Sequence, residues 1–101
     1  MPELIKVTKK NDVQPGQVKN YFREGKSIAI VNVGGKYYAF EDSCPHMGAR
    51  LSNGSLDGSV ITCPEHSSKF DVATGKALAV SDSPLVTYEV RVEGDDVYVK
   101  A

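Results

Sequence analysis

All the cysteine and histidine of this chain falls in two short groups, Cys44-Pro45-His46 and Cys63-Pro64-Glu65-His66, with sixteen residues between them. Thiolates are soft donors and imidazoles intermediate ones, so four such side chains at this spacing point to a transition metal. A tetrahedral zinc site is one reading. In its familiar form it takes two cysteines from a hairpin and two histidines from a helix. Here each group offers one cysteine and one histidine, and nothing nearby has helical periodicity. Mixed pairs of this kind suit a dinuclear iron–sulfur cluster, with both thiolates on one iron and both imidazoles on the other. Histidines that merely fill a core would not explain why each has a cysteine two or three residues before it.

The same inventory excludes several enzyme classes. A mononuclear iron oxygenase needs two histidines and a carboxylate, and both histidines are already committed. No G-x-G-x-x-G opens a helix, so there is no nucleotide fold to accept hydride. The net charge of −1 gives no reason to expect nucleic acid as a partner. No apolar run approaches the 18 or so residues of a membrane span. The opening Met1-Pro2-Glu3-Leu4-Ile5-Lys6 has neither the basic nor the apolar region of an export signal. Two cysteines make no disulfide framework, and a reducing, cytoplasmic setting is expected. At 101 residues, 41% hydrophobic and 25% charged, the chain reads as a single globular domain, residues 1–101.

The elements that must position these groups read as strands. Val86, Tyr88, Val90 and Val92 alternate with Thr87, Glu89 and Arg91, predicting a half-buried strand with one wet face. Turn residues 93–96 then lead into Val97–Lys100 as a C-terminal hairpin. Gly34-Gly35 between residues 28–33 and 36–40 is a two-residue hairpin signal. Pro15-Gly16 marks a turn between Leu4–Val7 and a strand at Gln17–Phe22, and residues 56–62 read as a turn into another short strand. A single helical turn is expected at Lys9–Val13. Residues 42–59 break the rhythm and read as a long irregular loop, which in a small domain is usually functional. Tyr37, Tyr38, Phe40 and Tyr88 read as core or sheet-face aromatics. The fold class is all-β, an antiparallel sandwich or barrel.

The two groups and their surroundings resemble the Rieske-type ferredoxins over nearly the whole chain. Residues 51–58, L-S-N-G-S-L-D-G, resemble that family's L-S-x-G-x-L-D-G. Phe70-Asp71 with Thr74-Gly75 resembles its F-D-x-x-T-G, and Pro84 sits where its proline loop would be. The resemblance implies a β-rich base with a cluster-binding subdomain inserted at about residues 43–83. It implies one Rieske [2Fe–2S] cluster, with Cys44 and Cys63 on the buried iron and His46 and His66 on the outer iron. Four positions depart from the family's pattern, in three respects. Ala49 and Glu65 stand where those carry a disulfide, Phe70 stands where they have a tyrosine, and Ser67 replaces a glycine. Ser68 keeps the hydroxyl that bonds a bridging sulfide in the family. The set resembles the low-potential ferredoxins that serve bacterial aromatic-ring dioxygenases.

The function this implies is a one-electron carrier between a reductase and an oxygenase, acting as a soluble monomer without catalysis of its own. Two alternatives stand beside it: a small subunit of a larger oxidoreductase, such as a nitrite-reductase-like complex, and a zinc-bound structural module. Charge is distributed unevenly. Residues 1–40 carry seven basic and three acidic side chains, whereas residues 41–71 carry five acidic and two basic. That asymmetry predicts docking of the cluster edge, beside Glu65, against a basic partner surface, unless the acids are simply spread over a solvated surface.

Overall fold

The computed structural model of the chain describes residues 4–44, 50–64, 68–79 and 83–100. Among them ten strands form two antiparallel sheets. The larger contains β1 (Leu4–Lys9), β2 (Val18–Arg23), β3 (Lys26–Val33), β4 (Lys36–Glu41), β9 (Thr87–Glu93) and β10 (Asp96–Lys100), in the order β1-β10-β9-β4-β3-β2. Its edge strands β1 and β2 come back into contact, so the sheet curls into a nearly closed barrel. The smaller sheet is β5 (Ser55–Asp57), β6 (Val60–Thr62), β7 (Lys69–Asp71) and β8 (Ala77–Ala79), in chain order. All four of its strands are inserted between β4 and β9, which are themselves neighbours. The expected all-β antiparallel, barrel-like architecture is the one observed.

Strand β3 explains how two cores coexist. Ile28 through Asn32 are all buried, so this strand is covered on both faces. A strand sends successive side chains to opposite faces. Ile28 and Ile30, with Ala39 of β4, therefore face a barrel core containing Ile5, Val7, Val13, Val97 and Val99. Ala29 and Val31, with Phe40 of β4, face a second core shared with Leu51, Ile61, Phe70, Val72, Leu85 and both cysteines. The β3–β4 hairpin is thus the wall between the barrel and the inserted sheet. Its turn is the expected one: Val33 pairs with Lys36, and Gly34 and Gly35 both take positive φ, at 60° and 96°. Residues with a Cβ adopt such angles reluctantly, which is why the glycine pair marks the turn.

Several expectations are corrected. The strand placed at 17–22 runs from Val18 to Arg23, and it turns into β3 through Glu24-Gly25, a tight turn without the familiar sequence signal. The helical turn is a single 3-10 turn at Lys10–Asp12. The strand expected from Val86 starts at Thr87, and Val86 and Val92 are 51% and 39% exposed. At the Val92 end the cause is pairing: β4 meets β9 only at Ala39–Tyr88 and Phe40–Thr87, so this end has a neighbour on one side alone. Within the stretch read as an irregular loop, residues 50–59 are less irregular than expected, since a 3-10 turn at Leu51–Asn53 leads into β5. The aromatics fall as read. Phe40 is fully buried, while Tyr37, Tyr38 and Tyr88 lie half-buried on the sheet.

Candidate metal centre

Both cysteines lie just beyond strand ends. Cys44 follows β4 and Cys63 follows β6, and each is about 1% exposed in the core between barrel and inserted sheet. No disulfide joins them. The topology therefore brings two thiols nineteen positions apart in sequence into one apolar cluster with Leu51, Ile61, Phe70 and Leu85. His46 and His66, the other two expected ligands, lie outside the described residues, as do Met47, Ala49, Glu65 and Ser67.

The backbone around Cys63 is closed from within. Its N–H donates to the Ser68 carbonyl at 2.7 Å, continuing the β6–β7 pairing one step beyond Thr62 and Lys69. The Ser68 side chain is fully buried, and its Oγ is the buried side-chain polar atom that has no hydrogen-bond partner among the described residues. A hydroxyl buried without an acceptor costs roughly 1–3 kcal/mol, and such groups usually serve something that binds beside them.

Two glycines hold the surrounding turns close. Gly54 packs so tightly on the second loop that a Cβ there would sit 1.8 Å from the Thr62 carbonyl oxygen, the residue before Cys63. Gly75 has φ +82°, and a Cβ on it would come within 2.6 Å of the Leu85 carbonyl oxygen. The Leu85 N–H in turn donates to the Gly75 carbonyl at 2.7 Å, tying the segment after Pro84 to the turn that follows β7. Asp71 shapes that turn: its carboxylate accepts the Ala73 N–H at 2.8 Å and its carbonyl accepts the Gly75 N–H at 2.7 Å. The L-S-N-G and F-D-x-x-T-G stretches are thus braces for the two loops.

One residue that sequence reading passed over is Asp42, counted there only as a charge. It is 3% exposed, two positions before Cys44. Its carboxylate accepts the Ser52 N–H at 2.8 Å, the Ser52 hydroxyl at 2.6 Å and the Asn20 amide at 2.6 Å. This acid is an internal fastener and contributes nothing to the surface charge near the site. Its position just before Cys44 was the available signal, but nothing local distinguishes it from an exposed loop acid. Further off, burial pushes the Tyr88 phenol above its ordinary 10.0, and the nearby Glu41 carboxylate adds to the shift.

Two buried thiols in a dry core, beside a hydroxyl that lacks an acceptor, fit an iron–sulfur cluster well. Thiolates bind its iron, and its sulfides accept hydrogen bonds. The model of the Rieske [2Fe-2S] domain matches residues 3–89. The chain belongs to the Rieske [2Fe-2S] domain family. Its cofactor is accordingly one Rieske [2Fe–2S] cluster. This Rieske chain is 43% identical over 97 residues to a protein described as "Ferredoxin CarAc" of Metapseudomonas resinovorans, covering 94% of this chain and 91% of the relative. It is 40% identical over 97 residues to the ferredoxin component of biphenyl 2,3-dioxygenase from Rhodococcus jostii RHA1, covering 95% and 91%. Among solved structures it resembles a chain in the complex of reduced oxygenase and oxidized ferredoxin in carbazole 1,9a-dioxygenase. That match has a TM-score of 0.88 and 43% identity, and covers 96% of this chain and 92% of the other.

Proposed function

We propose that this Rieske domain is a one-electron carrier that accepts electrons from a reductase and delivers them to the oxygenase of an aromatic-ring dioxygenase system, without catalysing a reaction itself. The observation that carries the reading is the pair of buried cysteines and the buried Ser68 hydroxyl, which has no hydrogen-bond partner among the described residues, in a chain whose relatives are described as dioxygenase ferredoxin components. Cys44 and Cys63 are assigned to the buried iron, His46 and His66 to the outer iron, and residues 43–83 to the cluster-binding subdomain. A [2Fe–2S] cluster on two thiolates and two neutral imidazoles is formally neutral when oxidised and takes up one electron. The chain's own part is to keep the thiolates dry, to aim the Ser68 hydroxyl inward and to hold both loops at a fixed spacing. Among the described residues no helix is long and apolar enough to cross a membrane. The proposed setting is the cytoplasm, and the proposed working form is a single copy meeting its partners transiently.

The test is direct. Protein purified without air should be red-brown, hold two iron and two labile sulfide per chain, and give a rhombic electron spin resonance signal once reduced. It should pass one electron to an oxygenase component of the class named above in stopped-flow mixing. Cys44→Ser or Cys63→Ser should abolish the visible spectrum. A colourless zinc protein, or a cysteine variant with full absorbance, overturns the assignment.

A further inference from the structure

The two loops assigned to the cluster must keep their spacing, yet the chain's only two cysteines are both used as ligands and none is left for a disulfide. The Asp42 carboxylate sits where a tie is needed. Its own N–H donates to the Ser27 carbonyl at 3.0 Å, anchoring the first loop to β3. Asn20 of β2 donates to Asp42 Oδ2 at 2.6 Å and to the Ser27 hydroxyl at 2.9 Å, joining the same anchor from the neighbouring strand. On the other side Asp42 takes both the N–H and the O–H of Ser52, one on each carboxylate oxygen. Ser52 belongs to the turn that ends at Gly54, and Gly54 is pressed against the Thr62 carbonyl, one residue before Cys63. A continuous path thus runs from the barrel through Asp42 and Ser52 to the second loop. Among the described residues every donor to the Asp42 carboxylate is uncharged; hydrogen bonds to a carboxylate are short and stronger than those between neutral groups.

We infer that Asp42 is a positioning residue for the cluster: a carboxylate clamp that sets the spacing of the Cys44 and Cys63 loops and does the work of a cross-link between them. The inference rests on the ligand assignment proposed above. A two-oxygen acceptor is required, because Ser52 and Asn20 approach with three N–H and O–H bonds. Asparagine at 42 keeps one acceptor oxygen for the Ser52 N–H and can donate to the Ser52 hydroxyl, but it turns an amide donor toward the Asn20 donor. Alanine loses all three contacts.

The experiment follows loss of visible absorbance when the cluster-loaded protein meets excess chelator, together with the spin resonance spectrum and midpoint potential. Ser52→Ala should bleach about tenfold faster and Asp42→Ala about a hundredfold faster, with Asp42→Asn between them. Asp57→Asn, an exposed acid at the end of β5, should match wild type. The spectrum of Asp42→Ala should shift in its g values, with partial recovery in Asp42→Asn. If Asp42→Ala does not fold, Ser52→Ala decides alone, since it removes one hydroxyl and leaves the backbone bond. Wild-type bleaching rates, or variants that unfold more easily while g values and potential stay unchanged, overturn the clamp. Failure of the ligand assignment looks different: wild type itself would then carry no iron signal, or Cys44→Ser and Cys63→Ser would keep the full visible spectrum.

Discussion

Replacing Ser68 by alanine isolates one hydroxyl. The side chain is fully buried, its Oγ lacks a partner among the described residues, and its carbonyl holds the Cys63 N–H at 2.7 Å. Alanine preserves that backbone bond and removes only the O–H, so the loop keeps its shape. A hydroxyl aimed at a cluster sulfur donates in both redox states, but more strongly when the acceptor carries the added electron. Net hydrogen bonds are worth about 1 kcal/mol to neutral acceptors and roughly 1.5–3 kcal/mol to charged ones. The difference, about 0.5–2 kcal/mol, is the preference for the reduced state that Ser68→Ala forfeits. For a one-electron couple a tenfold change, about 1.4 kcal/mol, corresponds to about 59 mV. The midpoint should therefore fall by roughly 20–85 mV. Protein-film voltammetry on wild type and variant, with iron content checked on the same samples, reads this directly. A midpoint that stays put or rises would refute the claim that the orphaned hydroxyl faces the cluster.

Phe70→Tyr should move the potential the opposite way by a similar amount, because Phe70 is fully buried in the core that holds both cysteines and a phenol there adds a donor. Square-wave voltammetry on the pair with Ser68→Ala tests the sign. Gly54→Ala should destabilise the loaded protein by about 3 kcal/mol or more, since the added methyl meets backbone at 1.8 Å and no side chain can move aside; a denaturant midpoint equal to wild type would contradict the close approach. Asp12 titrates below its ordinary 3.8 chiefly because the Thr8 hydroxyl donates to it, with the Lys9 N–H adding to the shift. Its folded value is depressed, so its contribution to stability is present above 3.8 and lost as pH falls through the folded value. In Thr8→Val the carboxyl should titrate closer to 3.8 by NMR, and the acid-side loss of stability should weaken.

Much of this molecule was legible in the residues themselves. Alternation along 86–92 and 97–100, and glycine pairs that tolerate positive φ, mark the barrel strands because both signals are local. Of the short strands of the inserted sheet only β6 was read, as the strand closing residues 56–62, and the other three escaped. Three residues such as Ser55–Asp57 or Lys69–Asp71 are too few to establish a period of two, and their pairing partners are supplied by turns of the fold. The tightness at Gly54 escaped for a related reason: its φ is an ordinary −86°, and only the carbonyl of Thr62, eight residues on, makes a side chain impossible there.

The chemistry of the site belongs to the sequence alone. Two cysteines and two histidines at that spacing point to a transition metal, zinc or an iron–sulfur centre, before any coordinate is known, because donor type decides which metals bind. Where that chemistry is housed belongs to the tertiary structure. Which face of β3 meets the cysteines, the lack of an acceptor for Ser68 among the described residues and the burial of Asp42 among Ser52 and Asn20 each depend on elements far apart in the chain. A carboxylate two residues before Cys44 reads as a surface charge until folding brings β2 and the Leu51–Asn53 turn to it from either side. Burial and hydrogen-bond satisfaction are properties of the assembled neighbours, and no local pattern encodes them.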